Sequence, residues 1–139
     1  MKLSEAAATV IALARAIRAY WEAELPKRHP DYPVMHMDED SGPPPPENAK
    51  LKEFLAGLPP EMVYQLLLVM YLGRGDLGTA NLADHFEEIK TTFGKPEWAI
   101  SQMMGKAPLA DYLTDGLDKL KRSRINADKL FTKASKTRK

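Results

Sequence analysis

A run of 12 residues, from Met62 to Gly73, is apolar apart from Gln65 and dominates the hydropathy pattern of this chain. A membrane span needs about 20 apolar residues, so the run is too short to cross a bilayer. Pro60 is well placed in the first turn of a helix, and the negative charge of Glu61 is stabilising near the positive end of the helix dipole. A helix that is apolar on every face must be covered by other elements. We therefore predict an all-α fold, a small helical bundle around a central helix at 60–72.

Proline and glycine divide the rest of the region 48–124 into shorter helices. Asn48 is predicted to cap the first of them, which turns Leu51, Phe54 and Leu55 inward. Further helices are predicted at about 79–92, from Pro96 and from Pro108. Gly116 lies inside the last of these helices and costs about 1 kcal/mol relative to alanine. The close approach of a neighbouring helix is the expected compensation.

A long amphipathic helix is predicted at 4–25, with Ser4 as its N-cap and Pro26 as its end. Its apolar residues recur near helical spacing. They are Leu3, Ala6, Val10, Leu13, Ile17, Tyr20 and Leu25. This stripe can dock on the same chain or on a second copy, and periodicity does not choose between them.

The segment 26–47 contains seven prolines in 22 positions and no sustained periodicity, which is typical of a linker. It also gathers His36 and the carboxylates of Asp38, Glu39 and Asp40. A solvated acidic loop is favoured over a metal site, because nothing supplies a second group of ligands. The predicted organisation is an N-terminal helix (1–25), a Pro-rich linker (26–47), a helical core domain (48–124) and a basic tail (125–139).

The charge is distributed unevenly along the chain. Residues 119–139 hold nine basic residues and one acidic residue, a net charge of +8, whereas the remainder holds 11 basic and 18 acidic residues, a net charge of −7. Such a tail can contact nucleic acid or fold against its own acidic body. The candidate phosphate contacts are Lys121, Arg122, Arg124, Lys129 and Lys133.

The turn Gly73-Arg74-Gly75-Asp76 follows the apolar run and is the most distinctive local motif. One of the glycines can end the helix in the left-handed conformation, and Asp76 can cap the following segment. Arg74 lies between two glycines, where an anion could approach the backbone amides. We predict either an anion or partner-carboxylate site at Arg74 and Asp76, or a cation that only stabilises the helix end.

Little else in the sequence indicates catalysis. The chain has no cysteine, which excludes thiolate metal sites and cysteine nucleophiles and weakly favours a reducing compartment. His85 and Glu88 share a helix face, but this pair is better explained as a polar surface. No phosphate loop, dinucleotide fingerprint or serine-nucleophile motif occurs. A non-enzymatic protein without metal or cofactor is therefore favoured.

Two segments resemble an uncharacterised bacterial family of unknown function. They are LPPEMVYQLLLVMYLGRGD at 58–76 and APLADYLTDGLDKL at 107–120. The resemblance covers about 58–120 and implies a small helical domain with no established activity.

These observations favour a cytoplasmic protein-interaction module that contacts no membrane. It would act through its N-terminal helix, on a second copy or on another protein. The alternatives are nucleic-acid association through the basic tail, and small-ligand or anion binding at Arg74.

Overall fold

A computed structural model describes residues 1–28 and 43–129. Within these ranges the chain forms six α-helices and one short 3-10 helix, and no strand occurs in them. The helices are α1 (Leu3–Arg28), α2 (Pro46–Ala56), α3 (Pro60–Arg74), α4 (Leu82–Phe93), α5 (Pro96–Met104) and α6 (Leu109–Arg122), followed by the 3-10 helix Ala127–Lys129. The prediction of an all-α bundle is confirmed.

Helix α3 is the central element of the bundle. It packs against α1, α4, α5 and α6, with α6 as its principal neighbour. Its buried side chains point in every direction around the helix axis. They are Val63, Tyr64, Leu66, Leu67, Leu68, Val69, Met70 and Leu72. The predicted central helix is therefore confirmed, and its apolar side chains form the centre of the core.

Two glycines set the close approach of α3 and α6. A Cβ at Gly116 of α6 would meet the carbonyl oxygen of Val69, and a Cβ at Gly73 of α3 would meet the backbone of Tyr112. Neither helix could keep its position if a side chain were added at these points. The close approach predicted at Gly116 is confirmed, and Gly73 makes its counterpart on the facing helix.

The predicted end of α1 and the predicted start of α2 are wrong. Helix α1 does not end before Pro26 but continues to Arg28. Because only two residues follow Pro26, the missing N–H costs one hydrogen bond in the last turn and none in the helix interior. Helix α2 begins at Pro46, so Asn48 lies inside the helix and is not its cap. A proline in the first turn leaves no hydrogen bond unmade, since that N–H has no partner within the helix.

The first half of α1 packs on its own chain. Its buried face contacts α2 and α6 and consists of Leu3, Ala6, Ala7, Val10 and Ala14. Of the two alternatives that the sequence left open, docking on the same chain therefore holds for this half of the helix. The second half continues past this buried region, and its apolar residues are only partly buried.

The start of the basic segment is anchored to the start of α1. The N–H of Ser4 donates to Oδ1 of Asp128 at 2.8 Å, and the Ser4 hydroxyl donates to Oδ2 at 2.9 Å. Helix α1 begins at Leu3, so Ser4 lies inside its first turn and is not the N-cap that the sequence predicted. An acceptor 124 residues away in sequence satisfies the free amide instead. Residues 127–129 consequently form a 3-10 turn that is held against the start of α1.

Asp128→Ala is expected to lower the free energy of unfolding at neutral pH by about 0.5 kcal/mol, because a cap at the protein surface, partly exposed to solvent, lies at the weak end of the range for helix caps. The two hydrogen bonds from Ser4 lower the pKa of Asp128 below its usual value. Stabilisation by Asp128 is therefore complete above the unfolded-state pKa of about 4 and is lost as the pH falls through the folded-state pKa. Thermal unfolding of both proteins between pH 7 and pH 2 measures this difference. A stability difference between the two proteins that increases at low pH would contradict this prediction.

Candidate functional site

The turn after α3 is built around Gly75. This residue has a φ of 90°, and its N–H donates to the carbonyl of Leu72, while the N–H of Asp76 donates to the carbonyl of Tyr71. The pair of bonds is a Schellman motif, which satisfies carbonyls at the helix end. Lys119 of α6 donates from Nζ to the same Leu72 carbonyl at 2.7 Å. The prediction that one of the two glycines closes the helix is confirmed.

The structure brings Arg74 and Asp76 together. Arg74 Nε lies 3.3 Å from Oδ2 of Asp76, and the guanidinium carbon lies 6.0 Å and 5.7 Å from the ring centroids of Tyr71 and Tyr112. These contacts hold the arginine side chain against α3 and α6. A ligand anion at Arg74 would have to compete with the Asp76 carboxylate. The predicted anion site stays a prediction, and the helix-end role of the cation has direct geometric support.

Asp76 does not cap the following helix. Helix α4 begins at Leu82, later than the predicted start near 79, and Asn81 precedes it in the left-handed conformation with a φ of 59°. The carboxylate of Asp76 instead lies at the edge of a pocket between the end of α3 and α4. Its position follows from the Schellman turn, which reverses the chain direction directly after Gly75.

We call this cavity of about 290 Å³ the α3–α4 pocket. Its lining residues come from the end of α3, the turn and α4. They are Tyr71, Asp76, Leu77, His85, Glu88, Ile89, Thr92 and Phe93. Nδ1 of His85 lies 3.4 Å from Oε1 of Glu88, so the pair predicted on one helix face is brought together. No group of three or more His, Cys, Asp or Glu residues capable of holding a metal exists in the ranges 1–28 and 43–129.

Helix α4 is held beside α3 by Lys90. Its ammonium lies 3.1 Å from the Glu87 carboxylate, 3.6 Å from that of Glu61 on α3 and 4.7 Å from the Phe86 ring centroid. Desolvation acts to lower the pKa of Lys90, but the hydrogen bond to Glu87 and the charges of both carboxylates outweigh it and raise the pKa. The ion pairs therefore favour the charged lysine and hold α4 against the start of α3.

A second concavity, which we call the α1 groove, has a volume of about 440 Å³. One wall is the second half of α1, and the other is formed by the start of α2 and the segment 103–109 between α5 and α6. The α1 wall consists of Ala14, Ile17, Arg18, Trp21, Glu22 and Leu25, and the facing wall includes Asn48, Leu51, Met103, Met104, Lys106 and Leu109. The groove is the place where the apolar stripe of α1 continues without being fully covered.

Sequence reasoning missed Trp21 as a member of this stripe. The predicted stripe used Leu13 and Tyr20, whereas the residues that line the groove continue from Ala14 through Ile17 to Trp21. A strict alternation of three and four residues from Leu3 would have found Trp21. Tyr20 points elsewhere, since its hydroxyl donates to the carbonyl of Pro43 at 3.3 Å.

The predicted nucleic-acid contacts are only partly described. Lys121, Arg122, Arg124 and Lys129 are exposed, and Lys133 lies outside the described residues. Arg122 pairs with Asp118 at 2.8 Å, while Lys121 and Arg124 border the shallow depression that holds Ser4 and Asp128. Nucleic-acid association stays a prediction. The acidic group around His36 in the Pro-rich linker also lies outside the described residues.

None of the described helices is both long enough and apolar enough to span a bilayer. The predicted cytoplasmic location stays a prediction.

A family model described as a protein of unknown function (DUF3775) matches residues 48–121, a little more than half of the chain. The matched residues begin in α2 and end in α6, so they contain the Arg74 turn, the α3–α4 pocket and one wall of the α1 groove. Helix α1 lies outside them. Neither a curated protein nor a solved structure matches the chain. The resemblance found in the sequence is thereby confirmed at the level of a family without known function.

Proposed function

We propose that this chain, which belongs to the DUF3775 family of proteins of unknown function, is a protein-interaction module that pairs with a second copy of itself through the α1 groove. The observation that carries this proposal is the half-burial of Ile17, Trp21 and Leu25. These residues continue a stripe that is fully buried in the first half of α1. Covering them removes further apolar surface from water, which is the main driving force for association.

The charges along α1 suit pairing between identical helices. Arg15 and Arg18 precede Trp21, and Glu22 and Glu24 follow it. When the two-fold axis is perpendicular to the paired helices, they run antiparallel, and the basic part of one helix faces the acidic part of the other. Opposite charges at matching positions fix the register, and a parallel arrangement would place like charges together.

Ion pairs within the single chain also hold one wall of the α1 groove in place. Arg18 lies 3.4 Å from Glu22 on the next turn of α1 and 2.9 Å from Asp111 of α6. These exposed ion pairs add little stability by themselves, but they limit the positions that the groove wall can adopt. An aromatic residue such as Trp21 in a preformed groove is typical of the residues that dominate binding energy.

Light scattering across a concentration series tests the proposal. We expect a mass that approaches twice the chain mass of 15.6 kDa, and we expect Ile17→Glu to shift the equilibrium to the monomer. A buried carboxylate without a partner costs several kcal/mol, so dimer affinity should fall at least about tenfold.

Ala12→Glu is the matched control, because Ala12 is exposed on the face of α1 turned away from the groove. Its mass should equal that of the wild type, and circular dichroism should show that both variants fold. A wild-type protein that remains monomeric at about 1 mM would overturn the proposal, since pairing worth about 4 kcal/mol already gives substantial dimer there.

A further inference from the structure

The α3–α4 pocket combines two kinds of wall. Tyr71 and Phe93 contribute aromatic rings, and Leu77 and Ile89 contribute aliphatic surface. Asp76 and Glu88 are the acidic lining residues, both exposed, and His85 and Thr92 complete the lining. The volume of about 290 Å³ is close to the lower end for small-molecule sites, which are concave and largely apolar with a few polar groups.

This combination discriminates between classes of ligand. Two carboxylates disfavour an anion, and the apolar walls offer no hydrogen bonds to the shell of a hydrated inorganic cation. An ammonium ion with alkyl substituents satisfies both requirements. Its charge is attracted by carboxylates and by the faces of aromatic rings, and its alkyl groups bury apolar surface.

Arg74 supplies an internal precedent for such a contact. Its guanidinium already lies 6.0 Å from the Tyr71 ring centroid and 3.3 Å from the Asp76 carboxylate. The same ring and the same carboxylate both line the α3–α4 pocket, so a ligand cation has to share them with Arg74 and depends mainly on Phe93 and Glu88. We infer that the α3–α4 pocket binds a small alkylated ammonium ion, held mainly by the Phe93 ring and the Glu88 carboxylate. This site is separate from the α1 groove and does not depend on the dimer.

Choline is a suitable probe, and 3,3-dimethylbutan-1-ol is its uncharged isostere. Each is titrated into the full-length protein at pH 8 and constant ionic strength, while backbone amide resonances of Ile89 and Thr92 are followed by NMR. We expect saturable shifts with choline and an affinity for the alcohol that is at least about fivefold lower, as the loss of a cation–π contact and an exposed charge pair implies.

Two variants assign the binding to the pocket. Glu88→Gln removes one carboxylate charge from an exposed position and should weaken choline binding about threefold. Phe93→Leu keeps an apolar wall without the aromatic ring and should weaken it by a similar factor of about three to five. Glu87→Gln is the matched control, because Glu87 pairs with Lys90 and does not line the pocket, and it should leave the affinity unchanged.

Three results would overturn the inference. They are choline shifts that rise linearly without saturation, equal binding of the neutral alcohol, and equal affinities of Glu88→Gln and wild type. Because the α1 groove takes no part in this titration, a monomeric protein that binds choline would refute only the proposed dimer, and a dimer that ignores choline would refute only the pocket.

Discussion

Gly116→Ala is expected to lower the free energy of unfolding by about 3 kcal/mol, although alanine is the better helix former by about 1 kcal/mol. The added Cβ would meet the carbonyl oxygen of Val69, which belongs to the backbone of α3 and cannot rotate away as a side chain would. The two helices would have to separate along their contact, so apolar surface on both would lose its packing. Urea unfolding followed by circular dichroism measures the change.

Gly73→Ala tests the same contact from the other helix. Its Cβ would meet the backbone of Tyr112, so a loss at least as large is expected. Gly57→Ala is the matched control, because Gly57 ends α2 at a φ of −84° and an added Cβ would have no contact closer than 3.5 Å. Its stability should stay within about 0.5 kcal/mol of the wild type or rise slightly. Wild-type stability of Gly116→Ala would show that α3 and α6 do not approach as closely as described.

The sequence predicted correctly those features of the fold that depend on neighbouring residues in the chain. The all-round apolar pattern identified α3, and Gly116 pointed to a close helix contact because a glycine inside a good helix needs a compensating reason. The predicted helix boundaries were wrong where more than one nearby residue is suited to begin or end a helix. Pro46 and Asn48 are both acceptable near a helix start, and only the structure shows that the chain uses the proline.

The candidate sites were harder to predict because distant segments build them. Nothing in the sequence around Ser4 indicates that Asp128 will accept its amide and hydroxyl hydrogens. Arg74 and Asp76 were identified by their turn, but the α3–α4 pocket depends on where α4 packs. Trp21 was missed because the predicted stripe ran through Leu13 and Tyr20, whereas the groove shows that the inward face of α1 runs through Ala14, Ile17 and Trp21.

Leu66→Ala and Leu68→Ala are each expected to lower the free energy of unfolding by about 2–5 kcal/mol. The two residues are separated by about 200° around α3, so they point in nearly opposite directions, and both are fully buried. An ordinary amphipathic helix would lose this much on one face only. Urea unfolding of both variants therefore measures whether α3 is enclosed on all sides. Leu117→Ala on α6 is the control, since this leucine is only partly buried and should cost less. If either α3 variant cost below about 1 kcal/mol, that face would not be packed, because truncating a fully buried leucine loses both its transfer free energy and the contacts around the cavity.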